Sequence, residues 1–179
     1  MDFLLALAGR IDRLSDRLGA FAAWSALLSC LISAANAFVR YGLDFSSNAF
    51  LEIQWYLFAA CVMLGSAQVL RMNEHVRVDL LYGRLPARAK VWIDLLGLLF
   101  FLLPVMLFAT YLSWDFFIGK FISGEMSSNA GGLIRWPAAL LLPLGFGMVA
   151  LQGAAEIVKR VGWLMRVHEM DTHYERPLQ

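Results

Sequence analysis

Residues able to do chemistry are few in this chain, and their spacing excludes most of it. His75, His168 and His173 lie outside the long apolar runs, so no facing pair of imidazoles is available inside a membrane to hold a b-type haem. Cys30 and Cys61 fall within apolar runs and, without further ligands, make neither a zinc nor an iron–sulfur site; they read as small packing residues. The "NAGG" at 129–132 has neither the lysine nor the spacing of a phosphate loop. No catalytic set, metal set or cofactor set emerges, and the chain does not read as an enzyme.

What remains is charge at the edges of apolar runs. Arg40 and Glu52 face each other across a short turn and would relieve the cost of two charges near lipid by pairing, which reads as a hairpin clamp rather than a transport route. Asp94, Asp115 and Glu156 sit near run ends, where snorkelling toward water costs little, and no carboxylate stands at the middle of a run. In "LRMNEHVRVDLLYGRLP", His75 and Asp79 are one helical turn apart, while Arg71 and Arg77 can reach lipid phosphates or a partner's carboxylates; the other reading of this stretch is a solvated face on an anchored helix.

Those groups are positioned by a membrane protein. Sixty per cent of the 179 residues are hydrophobic and 16% charged, with a mean hydropathy of +0.63, well beyond the apolar share of an ordinary soluble domain. A net charge of +1 offers no footprint for nucleic acid. The fold class is therefore all-α, with four transmembrane helices expected at 18–39, 50–70, 91–117 and 136–158, each about the 20 residues a bilayer requires or longer. The start of the chain imitates a secretory signal, but its apolar run is as long as a full span and is expected to stay as an uncleaved first helix.

Basic residues give the orientation. Twelve of the fifteen flank one side: Arg10, Arg13 and Arg17, then Arg71, Arg77, Arg84, Arg88 and Lys90, then Lys159, Arg160, Arg166 and Arg176; Arg40, Lys120 and Arg135 belong to the other. Both termini and the middle loop are thus expected in the cytoplasm, with 166–179 a polar cytoplasmic tail. Phe3, Leu4, Leu7, Ile11, Leu14 and Leu18 recur at helical steps and predict an interfacial helix over 1–17. Val78, Leu81, Tyr82 and Leu85 predict a second over 75–85, ended by Pro86, with His75, Arg77, Asp79 and Arg84 as an interfacial brace against membrane lipids.

Faces suited to protein contact can also be read. Ser29, Ser33 and Asn36 share one side of the first span, next to a stripe of small residues that admits another helix. The third span, about 27 residues of mostly Leu, Phe, Val and Met around Pro104, must tilt or kink. In the fourth, Pro143, Gly145 and Gly147 permit bending and close helix contact.

The layout resembles a known family. "FVRYGLDFSSNAFLEIQWYLFAACVMLGSAQVLRMNEHVRVDLLYGRLPARAK", followed by "GEMSSNAGGLIRWPAALLLPLGFGMVALQGAAEIVKR", is similar to the small, DctQ-like membrane subunit of tripartite ATP-independent periplasmic (TRAP) transporters over roughly residues 10–165, most sharply at the Arg40–Glu52 approach, "HVRVD" and "PLGF". The resemblance implies a non-catalytic scaffold in the bacterial inner membrane. It would brace a large multi-span subunit that imports an organic anion by an elevator motion, with sodium ions bound by that partner and not by this chain. It further implies contact of Glu125, Ser127, Ser128 and Asn129 with a periplasmic solute-binding protein. Large-subunit contacts would fall to Ser29, Ser33, Asn36, Pro143, Gly145 and Gly147. Two other functions fit four apolar helices: a membrane anchor for a respiratory complex, and a self-sufficient small transporter.

Overall fold

Long apolar runs with turn-forming residues between them should give helices joined by short connections, and a computed structural model shows this. It describes residues 1–44, 47–74, 82 and 85–169. Four helices are long and apolar enough to cross a membrane: α1 Asp2–Leu43, α2 Asn48–Met72, α3 Ala87–Ser123 and α4 Trp136–Leu164. Among the described residues the one extended feature is an isolated bridge between Met126 and Ile134.

The helix ends follow local chemistry. Ser47 caps α2, its hydroxyl accepting the Ala49 N–H at 3.3 Å, and Asn73 closes α2 in the left-handed conformation at φ 60°. Gly124, at φ 58°, ends α3. Pro104 would leave a carbonyl without its helical donor, and the helix widens just before it: Leu98–Leu102 form a π segment in which the Leu103 N–H reaches back to the Leu98 carbonyl. This π segment is the local irregularity of α3 beside Pro104.

Helix α1 runs without a break through 1–17 and the first span. At 42 residues it is about 63 Å long, roughly twice the hydrocarbon thickness of a bilayer. Its packing side is also not the leucine stripe. Ala8, Ser15, Gly19, Ala22 and Ser25 are buried against other helices, whereas Phe3, Leu4, Leu7 and Leu14 are exposed. Small side chains bury here because they let backbones approach closely, as membrane helices without a hydrophobic driving force must do. The predicted helix over 75–85 lies outside the described residues except for Tyr82 and Leu85, as does the tail beyond Glu169.

Helix α4 is central. It packs on α1, α2 and α3, the α1–α2 hairpin packs on itself, and α3 is held chiefly through α4. Accordingly 44% of the most apolar stretch of α4 is buried inside the chain, against 17–22% for the other three helices. Pro143 and Gly145 both face inward. A Cβ on Gly145 would stand 2.8 Å from the Met63 carbonyl oxygen and 2.7 Å from Met63 Cβ, so α2 and α4 touch backbone to backbone at this level. Gly145→Ala is expected to cost about 1–3 kcal/mol by forcing these helices apart. Gly147→Ala, whose nearest neighbour would be Thr110 Cγ2 at 3.8 Å, should be close to neutral; unfolding of both variants in mixed micelles checks the contrast.

Candidate functional site

Two polar constructions close the ends of the bundle. At the end where α2 begins, Glu52 is only 3% exposed. One carboxylate oxygen accepts the Ser127 hydroxyl and the Asn129 side-chain N–H at 2.8 Å. The other accepts the Leu133 N–H at 2.6 Å. The loop over 124–135 is shaped around this anchor. Ser127 N–H donates to the Leu133 carbonyl at 2.9 Å, Gly132 N–H to Asn129 at 2.9 Å and Arg135 N–H to Glu125 at 2.9 Å. From α2, Asn48 donates to the Ala130 carbonyl at 3.0 Å and the Tyr56 hydroxyl to the Ile134 carbonyl at 3.0 Å. Position 132 requires glycine, since a Cβ would lie 2.5 Å from Ser127 Cβ and 2.9 Å from Glu52 Oε1.

The expected Arg40–Glu52 pair is not formed. Arg40 is exposed at the end of α1 and makes no ion pair among the described residues. Three donors from the loop already satisfy the Glu52 carboxylate, and hydrogen bonds to an ionised acceptor are strong enough to hold it without a neighbouring cation. Three of the loop residues offered to a partner are already engaged within the chain: Ser127 and Asn129 bind Glu52, while Glu125 pairs with Lys120 and, at 3.0 Å, with Arg135. The Lys120 hydrogen bond, helped by Arg135, holds the Glu125 carboxyl below its usual range. This clamp is therefore present at neutral pH and is lost as pH falls through that lowered value. Of the four candidates, Ser128 alone is exposed without a described side-chain bond.

The other end holds a network that the positions of its charges near the run ends do not foretell. Gln152 is fully buried on α4. It accepts the Ser15 hydroxyl at 2.7 Å and donates to Asp12 at 2.8 Å and Glu156 at 3.1 Å. Lys159 joins Asp12 at 3.0 Å and Glu156. Arg160 joins Glu156 at 2.6 Å and Asp94 at 3.3 Å, and Asp94 also accepts the Tyr82 hydroxyl at 3.0 Å. Glu156 does not snorkel: it is 5% exposed, and its neighbours tie α1, α3 and α4 together. Nearby, Arg71 of α2 reaches Asp16 of α1 at 2.5 Å. Sequence spacing carries a signal for this, because Gln152, Glu156, Lys159 and Arg160 fall on one helical face and Asp12 and Ser15 on another.

The remaining candidates divide. Ser29 donates to the Gln54 carbonyl at 3.3 Å inside the hairpin, and Asn36 is buried with its side-chain oxygen lacking a partner. Pro143 and Gly145 are internal. Ser33 is exposed. Gly147 borders an open apolar groove of 610 Å³ between α3 and α4, with Leu103, Leu107, Leu144 and Leu151. His75, Arg77, Asp79 and Arg84 lie outside the described residues, and among those described no group of three or more His, Cys, Asp or Glu side chains could hold a metal.

A family model described as "Tripartite ATP-independent periplasmic transporters, DctQ component" matches residues 29–162, from the C-terminal part of α1 to the last turn of α4. No curated protein and no solved structure gives a significant match to the chain.

Proposed function

The chain belongs to the DctQ component family of tripartite ATP-independent periplasmic transporters, and from that premise we propose that it is the fixed, non-catalytic scaffold of a sodium-coupled importer of an organic anion. Membership makes it a small membrane component of a transporter with a large membrane subunit and a periplasmic binding protein, and supports neither a respiratory anchor nor a transporter acting alone. The proposal adds its mechanical role. The large subunit binds the sodium ions and carries the solute, and this chain braces it, with both termini in the cytoplasm and the 124–135 loop in the periplasm.

The observation that carries this reading is where charge sits. Glu52 is taken up by the loop at one end, Asp94 and Glu156 by the network at the other, and the middles of the four helices hold no Asp, Glu, His, Lys or Arg. Intramembrane ion pathways are built from such groups, so an alternating-access route has nothing to use here. Helix α3 supplies the surface for the partner. Phe100, Phe101, Phe108 and Tyr111 are all more than 60% exposed, and Asp115 is also exposed, about two turns before the helix ends. Lipid satisfies the aromatic face, and Asp115, near enough to the helix end to snorkel toward water, adds a polar group that the partner can meet there.

The test is co-purification and reconstitution. Tagged chain should bring down one much larger membrane protein, with a lower yield for Asp115→Leu. In proteoliposomes the chain alone should move no solute. With the large subunit, the binding protein and a sodium gradient, organic-anion uptake should appear. Sodium-driven uptake by the chain alone would overturn the scaffold role, and undiminished uptake without it would make the brace unnecessary.

A further inference from the structure

A basic cleft lies at the network end of the bundle, where α4 finishes beside the start of α3. The chain does not run straight out of α4. Arg166 adopts φ 61°, a left-handed conformation in which glycine is the usual residue, and the Val167 N–H then returns to the Gly162 carbonyl at 3.0 Å. Gly162 makes room for this reversal, because a Cβ there would sit 3.1 Å from His168 Cβ. The fold-back leaves a cleft of 610 Å³ lined by Arg88 of α3 and by Trp163, Leu164, Arg166, His168 and Glu169.

The lining combines two arginines, a histidine and a tryptophan with one carboxylate. Arg88 and Arg166 come from different parts of the chain, and both residues are exposed, their side chains without an ion pair or hydrogen bond among the described residues. Each presents a planar fork of donors that fits two phosphate oxygens. His168 adds a ring N–H in either protonation state. Trp163 beside them is the residue type that collects at headgroup depth, with an apolar ring on one side and an N–H on the other. Glu169 is the exception, a carboxylate that an inorganic anion would avoid but that a headgroup ammonium or hydroxyl would meet.

We propose that this cleft binds the phosphodiester of a phospholipid, phosphatidylethanolamine or phosphatidylglycerol, with Arg88 and Arg166 on the phosphate and Glu169 on the headgroup's donor. The site would fix the rotational position and depth of α4, the helix on which the others are packed. It depends on the chain spanning a bilayer and not on any role in transport.

Full-length protein in a phosphate-free, non-ionic detergent provides the assay. Its thermal midpoint is followed while phosphatidylethanolamine, phosphatidylglycerol, diacylglycerol or inorganic phosphate is titrated in, and native mass spectrometry counts retained lipids. The two phospholipids should raise the midpoint by several degrees, and diacylglycerol should not. Arg88→Gln with Arg166→Gly should weaken the apparent affinity about tenfold or more, since two charge-assisted contacts are lost. Arg166→Gly alone gives a second, opposed readout. It should raise the lipid-free midpoint by relieving the left-handed arginine while lowering the lipid response, a combination that a purely structural Arg166 would not produce. Stabilisation by millimolar inorganic phosphate equal to that by the phospholipids would overturn the lipid assignment and give the phosphate site to a soluble source. Equal stabilisation by diacylglycerol, or an undiminished phospholipid response in the double variant, would overturn the proposal altogether.

Discussion

Replacing Arg160 with alanine is expected to cost about 3–5 kcal/mol of stability, the range for breaking a buried ion pair from one side. The side chains of Arg160 and Glu156 are 8% and 7% exposed, so Glu156 cannot turn to water when Arg160 is removed and is left with Lys159 as its remaining cation. Arg160 also holds Asp94, and with it α3, which has few other ties to the bundle. Its neighbour Lys159 is a control of the same sign: at 15% exposure it can be better hydrated, and Lys159→Ala should lose clearly less. Arg160→Lys should fall between, because an ammonium is a point charge that cannot span two carboxylates as a guanidinium fork does. Combining Arg160→Met with Glu156→Gln should recover a large part of the loss, since the new amide oxygen could still accept from Gln152 and no lone buried charge would remain on α4 at this level. Unfolding in dodecyl sulfate mixed micelles, read by helical circular dichroism, gives the order; wild-type stability in Arg160→Ala would show the network to be solvated.

The helices are legible in the sequence because length and apolarity alone decide whether a segment can span a bilayer, and all four expected spans fall inside α1, α2, α3 and α4. The centrality of α4 is not legible. Lipid and protein interiors are equally apolar, so hydropathy cannot say that Trp136–Leu164 is the buried helix and the more apolar α3 the outer one. What distinguishes α4 is where its glycines and its polar residues fall: Gly145 against Met63, and Gln152 at full burial. The protein-facing side of the N-terminal segment is illegible for a related reason. Phe3, Leu7 and Leu14 repeat as an amphipathic face should, yet the protein contact is made by Ala8, Ser15 and Gly19, residues that a hydrophobicity pattern passes over. Glu52 stands out in the sequence as a charge needing company, but its company comes from residues 75 to 81 positions away. Two of those donors are a serine and an asparagine that look outward in a sequence, and the third is a backbone N–H, which no sequence pattern displays.

Removal of that carboxylate should release the whole loop over 124–135 while leaving the four helices assembled. Glu52→Ala takes away the acceptor for Ser127, Asn129 and the Leu133 N–H at once, and a buried donor without an acceptor costs more than the net value of the bond it made. Glu52→Gln is the sharper variant. It keeps size and one acceptor oxygen but puts an amide donor where a carboxylate oxygen now accepts, either from Leu133 at 2.6 Å or from the Ser127 and Asn129 side chains. The two side chains can turn to suit an amide oxygen or nitrogen more readily than a backbone N–H can, so the Leu133 end should open first. Both substitutions should speed proteolysis within 124–135 many-fold and raise amide exchange at Leu133, with far less change in the helices, because loop opening is a local event. Lys120 and Arg135 would still hold Glu125, so the segment over 127–133 should loosen more than its two roots. In the assembled transporter, the proposed contact with the periplasmic binding protein needs a loop of fixed shape. Glu52→Gln should therefore weaken solute uptake through a poorer response to binding-protein concentration, with the amount of small subunit bound to the large one unchanged. An unaltered protease pattern would mean that the loop is held by Asn48, Tyr56 and the Glu125 clamp without Glu52, and Glu52 would then be a buried charge with no structural office at this end of the bundle.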